Sequence, residues 1–461
     1  MALFGSEDQP RRSAVVLGGG MAGLFAANVL ADHFERVTVV ERDDCGAGEW
    51  RPGVPQSRHV HVLLLRGVQI LRRRFPGLEE ELLALGAPPL NWLKETAALA
   101  AGGWLPRYDL DLLGYSVSRY LLERQMREHL QRRDNIHFRY GHRVTNLCFD
   151  GDTSRISGVS CTADEQTVTL RADLTVDASG RSSRLPRWLE EFGYAAPRES
   201  AVNADVGYAT RWYRIPAGWQ ADWKMVLLGT RYPDISGGAV VQPVEGNRWV
   251  VTLVGYAGNH PPTDEAGFEA FARGLIGPQV WDAMSAAEPL SDIRGYRRTE
   301  NHWRHFERLN RWPQGLIALG DSVCAFNPVY AQGMTVSALS AEVLDAVLRG
   351  SPSAELGLAF QRKLAKMLQT PWRLATSDDF RWAGRAAGDA SFLDRFMHRY
   401  VEKVVDRVHR QDTCLTFFNV AHLISPPISL FRPGLALPIL WSMARAAVFG
   451  GRRARPAALI R

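Results

Sequence analysis

Gly18, Gly20 and Gly23 stand in the spacing G-x-G-x-x-G between two apolar runs, and an acid, Glu41, closes the second run. In a strand–turn–helix–strand setting such a triplet holds a dinucleotide by its pyrophosphate. Gly18 permits the tight turn, Gly20 lets the anion approach the backbone, and Gly23 lets the helix pack close to the sheet. Met21 and Ala22 open that helix, where free amides and the helix dipole favour an anion. Glu41, with Arg42 beside it, offers a carboxylate to ribose hydroxyls. Two further sets carry chemistry: Asp177-Ala178-Ser179-Gly180-Arg181, and Gly320-Asp321 leading through Pro328 to Gly333 and Met334. Arg119 stands in the first turn of a helix that Ser118 caps, and a cation there opposes the dipole, so it predicts an anionic partner. His59 and His61 form an H-x-H pair with no third ligand at metal-binding spacing, so no metal is expected. The pair reads either as part of a loop over a cofactor or as a plain surface loop. No Ser-His-Asp set or paired carboxylates appear, and no residue is assigned as a catalytic acid or base.

These residues need elements to position them. Residues 14–17, 37–40, 174–177 and 316–319 read as buried strands, with helices after residue 20, from 119 and from about 335 to 348. Residues 143–149, 155–161 and 167–170 alternate and are split by turns, an antiparallel meander. Residues 203–215 and 240–254 are rich in Val, Thr, Tyr and Trp, with a hairpin turn at Glu245-Gly246-Asn247, and predict a second antiparallel sheet. Its aromatics (Tyr208, Trp212, Tyr213, Trp249 and Tyr256) either face a substrate or form sheet core. A helix over 263–276 precedes residues 291–298, which return the chain to the first domain in this reading. The last hundred residues read as mostly helical.

At 461 residues the chain can build two or three cores. The net charge of +6 comes mainly from scattered arginines, with only five lysines, and forms no basic stripe interleaved with aromatics. Nucleic acid is therefore not an expected partner. Five cysteines without a C-x-x-C pair predict neither a disulfide framework nor zinc, and a reducing cytoplasm is the default. The first thirteen residues have no apolar core for a secretory signal. Residues 423–440 are apolar but broken by Pro426, Pro427, Pro433 and Pro438, which predicts a packed helix pair and not membrane insertion. The basic tail Arg452, Arg453 and Arg455 leaves peripheral contact with a bilayer open.

The order of the three motifs resembles that of the single-component FAD-dependent monooxygenases of the para-hydroxybenzoate hydroxylase fold (group A type), over roughly the first 350 residues. The stretches VPQSRHVHVL and GDSVCAFNPVYAQGM look most like polyether-type polyketide epoxidases and related actinobacterial natural-product tailoring enzymes. The resemblance implies an α/β fold: an FAD-binding Rossmann-like domain of the glutathione reductase type, an inserted antiparallel β-sheet substrate domain and a helical C-terminal region. The implied boundaries are 1–75, 114–195 and 296–350 for the FAD-binding domain, 76–113 for a lid or pocket wall, 196–295 for the substrate domain and 351–461 for the helices. It gives Glu41 the adenosine ribose, Arg119 the pyrophosphate side and Asp321 the ribityl chain. Pro328 borders the isoalloxazine, and the Gly333 and Met334 amides face its N1 and C2 carbonyl. Asp177 and Arg181 brace the backbone near the cofactor or form a structural ion pair.

The implied activity is epoxidation or hydroxylation of a large apolar polyketide or similar metabolite. FAD is bound non-covalently, NAD(P)H is the external reductant, and O2 reacts through a flavin C4a-hydroperoxide. The pocket candidates are His59, His61, Tyr208, Trp212, Trp249 and Tyr256. The alternative is a redox-neutral cyclase, such as a [4+2] cyclase, in which FAD only shapes the cavity. The W-x-W-x-I-P stretch of related halogenases is absent. Cys324 stands where the family often has His, and Ala178-Ser179 separate Asp177 from its glycine.

Overall fold

Ser13–Leu17 is buried from Ala14 onward and shows water no polar face, so it takes the centre of a parallel sheet covered on both sides. Arg36–Val40 pairs on one side of it and Leu174–Asp177 on the other. Ile136–Arg139 and Leu316–Ala318 complete the five strands, all parallel. Their C-terminal ends share one edge, where ligands bind in open α/β sheets. Gly18, Glu41 and Asp321 lie at that edge or just beyond it. The structure, a computed structural model, describes residues 12–45, 51–100, 103–350, 356–383 and 392–449. Residues 1–11 and the tail arginines Arg452, Arg453 and Arg455 lie outside the described residues.

The helix Met21–Leu30 is apolar on nearly every side because the helix Gly333–Gly350 packs against it. The expected meander is present as Arg143–Asp150, Arg155–Ala163 and Gln166–Arg171. The second sheet runs Glu288–Pro289, Gly207–Arg214, Arg248–Gly255, Gly237–Val244, Met225–Leu228, Thr96–Ala100, Gly103–Trp104. It is antiparallel except where Met225–Leu228 meets Thr96–Ala100 in parallel register. The segment expected as a lid or wall thus supplies two of its strands.

One expectation is corrected. Arg294–Tyr296 does not return the chain to the first domain but pairs with Tyr208, Ala209 and Thr210, whose outer edge still needs partners. Asn301–Arg304 makes the return, pairing with Glu199–Val202 and Cys324–Ala325.

The helix Leu356–Trp382 runs 27 residues and contains Pro371. Phe360, Leu364, Leu368 and Ala375 bury one stripe of it, and Trp382 at its end lies 5.1 Å from Tyr256 of the second sheet, ring to ring. Phe392–Val405, Gln411–Ala421 and Pro433–Phe449 follow, sharing a core of Tyr400, Val404, Val420 and Ile439. Residues 423–440 therefore pack as helix and turn, while Ile428, Leu437 and Trp441 stay exposed. No helix among the described residues is long and apolar enough to cross a membrane.

Candidate functional site

The three glycines meet three different environments. Gly18 has φ +98°, and a Cβ there would lie 2.7 Å from the Ala178 carbonyl oxygen, so the first motif packs onto the middle one. A Cβ on Gly23 would stand 1.9 Å from the Gly18 oxygen, which fixes the helix against the turn. Gly20 is different: the nearest atom to its Cβ position is Glu123 Oε1, at 3.9 Å. The backbone is open at the middle glycine, and the helix it caps has no side-chain cap, leaving the first-turn amides of Met21 and Ala22 available. That cradle fits a pyrophosphate.

Around it lies a buried ionic cluster. Glu41 accepts the Gly19 amide at 2.8 Å and the Asp43 amide at 3.0 Å. Arg51 lies 2.5 Å from Glu41 and 3.0 Å from Glu123, and donates to the Gly19 oxygen at 3.2 Å. Glu123, 2% exposed, also takes Arg119 at 2.7 Å and Arg127 at 3.7 Å. Burial pushes its pKa up, but Arg119, Arg51 and Arg127 outweigh burial and hold it below the usual glutamate value. The anionic partner expected for Arg119 is thus Glu123, one turn on. That i,i+4 spacing was a legible signal; Arg51 gave none. Arg42 is exposed and donates to the Gly53 oxygen at 3.2 Å.

Asp177 and Arg181 do not pair with each other. Asp177 accepts the Ser179 amide at 3.0 Å and the hydroxyls of Ser179, Ser183 and Ser322, holding its own turn. Arg181 pairs with Glu300 at 3.0 Å and donates to the Phe326 oxygen at 3.1 Å, so it secures the third motif. The spacing of four invited an ion pair, but these residues lie on an irregular turn and not on one helix face.

In the third motif Gly320 abuts Ala22, with a Cβ position 2.5 Å from that side chain. Asp321 beside it is partly buried, and among the described residues no hydrogen bond or ion pair reaches its carboxylate. Burial raises its pKa, and Arg181, Arg119 and Arg304 counter it. An unclaimed acceptor next to the open turn fits the hydroxyls of a ribityl chain. Asp321→Ala is expected to weaken FAD binding by about 1.5–3 kcal/mol, one hydroxyl hydrogen bond to a carboxylate. Fluorescence titration reads this directly, and an unchanged dissociation constant would remove Asp321 from the site.

Pro328 is exposed, Ala331 holds φ +53°, and a Cβ at Gly333 would meet nothing within 4 Å. Met334 is buried and lines a narrow gap with Arg119, His61, Tyr115 and Gln242, bringing two distant cofactor candidates together.

Residues 54–65 are stitched in from three sides. Arg58 gives its carbonyl to Trp212 Nε1 at 2.9 Å, and His59 Nδ1 meets Thr210 Oγ1 at 2.7 Å. Gln242 reaches the His61 carbonyl at 2.9 Å, while the Leu64 and Leu65 amides donate to Thr335 and His422. Burial, with Arg58 and Arg119 nearby, lowers His59 to about 4 and His61 to about 3, so both imidazoles are neutral at pH 7. Tyr208 and Trp212 share the sheet face on which His59 of this segment packs, whereas Tyr256 packs on Trp382. Trp249 does not join them. Its register opposite Tyr213 turns it to the other face, where it packs on Trp219 at 5.1 Å, so it is sheet core and not pocket wall.

A family model described as an FAD binding domain matches residues 11–369. The protein named Rv3254 from Mycobacterium tuberculosis is 34% identical over 404 residues, covering 85% of this chain and 82% of that one. Among solved structures, the flavin-dependent brominase Bmp2 aligns with a TM-score of 0.66 and 14% identity, over 95% of this chain and 99% of its own. The p-nitrophenol 4-monooxygenase PnpA from Pseudomonas putida aligns with a TM-score of 0.59 and 16% identity, over 89% and 98%. At these identities the likeness to solved structures shows the fold alone.

Proposed function

Because this chain belongs to the FAD binding domain family, we propose that it is an FAD-dependent monooxygenase acting on a large apolar small molecule of polyketide type. The observation that carries the reading is the meeting, at one sheet edge, of the open Gly20 turn and the unclaimed Asp321 carboxylate. Gly18, packed on the Ala178 carbonyl, sets the turn, Asp177 holds the neighbouring one, the Met21 and Ala22 amides would take the pyrophosphate, and Glu41 the ribose. Arg119 and Arg51 supply positive charge beside them. The helix starting at Gly333, with the Gly333 and Met334 amides, would supply positive potential to the part of the flavin that becomes negative on reduction. When bound non-covalently, FAD supplies electron transfer from an external nicotinamide and activation of O2. The pinned segment 54–65, His59 included, and the sheet face carrying Tyr208 and Trp212 exclude water and orient the substrate. No side chain here is assigned a proton-transfer role.

Oxygen labelling tests this. A linear polyene or polyketide alkene is supplied as the probe substrate with NAD(P)H and isotopically labelled O2. Product is expected to gain one labelled atom, and turnover is expected to stop without reductant. Product formed under nitrogen with an unchanged oxygen count would replace this reading with redox-neutral cyclisation, in which FAD only shapes the pocket.

A further inference from the structure

Asp379 lies on the helix Leu356–Trp382, past residue 369 where the FAD binding domain match ends. It is fully buried. One carboxylate oxygen accepts Asn301 Nδ2 at 2.6 Å and Asn327 Nδ2 at 2.9 Å, and the other accepts the Tyr330 hydroxyl at 2.6 Å. Asn301 passes the constraint on by accepting the Asn327 backbone amide at 2.8 Å. Asn327 Oδ1 accepts the Val329 amide and the Tyr208 hydroxyl, each at 3.2 Å. Asp379 therefore grips both ends of the turn Pro328–Tyr330 from behind. Directly after that turn Ala331 holds its left-handed backbone, which a non-glycine residue keeps only where its surroundings enforce it. Gln332 and Gly333 follow.

We propose that Asp379 is the positioning residue that holds residues 327–333 in their cofactor-binding shape and links them, through Asn327 and Tyr208, to the substrate face of the second sheet. This rests on the FAD reading above.

The hub also responds to protons. Burial pushes the Asp379 carboxyl up to about 6, against the lowering effect of its three donors. The other titratable groups facing it are Tyr330, Tyr208 and Tyr256, whose hydroxyls burial raises well above their usual value, and Asp378 on its own helix. Ionised, Asp379 accepts all three donors. Once it is protonated, one oxygen must donate, and the Tyr330 hydroxyl has to turn to accept it.

The test uses full-length wild type, Asp379→Ala and Asp379→Asn. FAD affinity is read by fluorescence titration, and the flavin surroundings by visible circular dichroism. The amide keeps the shape: its oxygen accepts both asparagines and its NH2 donates to Tyr330. Asp379→Ala is expected to bind FAD at least about tenfold more weakly, and Asp379→Asn within about threefold of wild type. The wild-type flavin signal is expected to change as pH falls through about 6, and that of Asp379→Asn to stay flat. A folded Asp379→Ala protein with wild-type affinity and spectrum overturns the proposal while the FAD reading stands. The proposal fails equally if Asp379→Asn keeps the pH-dependent change, and this arm decides alone if the alanine variant does not fold. Wild type that takes up no FAD overturns the FAD reading itself and this proposal with it.

Discussion

Gly20→Val is expected to give a folded protein that purifies colourless. The turn asks little of this position as far as folding goes: its backbone, at φ −83° and ψ −175°, is open to any L-residue, and a Cβ finds only Glu123 at 3.9 Å. The same Cβ, with two methyl groups beyond it, occupies the space through which a pyrophosphate reaches the Met21 and Ala22 amides. Affinity for FAD should fall by more than about a hundredfold, because all the phosphate contacts are lost together. Gly23→Ala is the contrast, since its methyl would lie 1.9 Å from a backbone oxygen and the damage falls on the fold. Flavin absorbance per protein and the melting temperature separate the two effects. A Gly20→Val protein with full flavin content would show that the cofactor sits elsewhere.

Glu123→Ala should cost about 3–5 kcal/mol of stability, the range for removing one partner from a buried ion cluster. Arg51, Arg119 and Arg127 would be left sharing a site with two acids, Glu41 and Asp43, that only Arg51 reaches. Urea unfolding of wild type and variant measures the loss, and a difference under about 1 kcal/mol would mean the cluster behaves like exposed charges. The pH dependence has a definite sign. Burial raises the Glu123 pKa, but the three arginines bring it net below its ordinary value of 4.5. Its stabilisation is therefore complete above pH 4.5 and is lost as pH falls through the depressed value.

Local signals carried most of the fold into view. The valine-rich runs announce buried strands, and the glycine triplet, the middle Asp177 turn and Gly320-Asp321 could each be placed because every one follows such a run. What stayed hidden depends on contacts between distant segments. Trp249 looked like its neighbours Trp212 and Tyr208, and only the pairing of Trp249 with Tyr213 across the hairpin decides its face. Arg51 meets Glu123, and Asp379 meets Asn301 and Asn327, across separations that no periodicity encodes. The joining of Thr96–Ala100 to Met225–Leu228 is hidden for the same reason, since parallel neighbours need a long crossover.

The order of strands in the parallel sheet also sets a timetable for synthesis. Ser13–Leu17 sits at its centre, yet the edge strand Leu316–Ala318 that pairs with Leu174–Asp177 is made about 300 residues later. At about 5–20 residues per second, a ribosome needs roughly 15–60 s to cover that interval. Until it ends, one edge of Leu174–Asp177 has no partner, and neither Gly320 nor the helix Gly333–Gly350 yet covers the apolar helix Met21–Leu30. On the proposed site, flavin capture waits for Gly320 and the helix Gly333–Gly350, which arrive long after the glycine turn they complete.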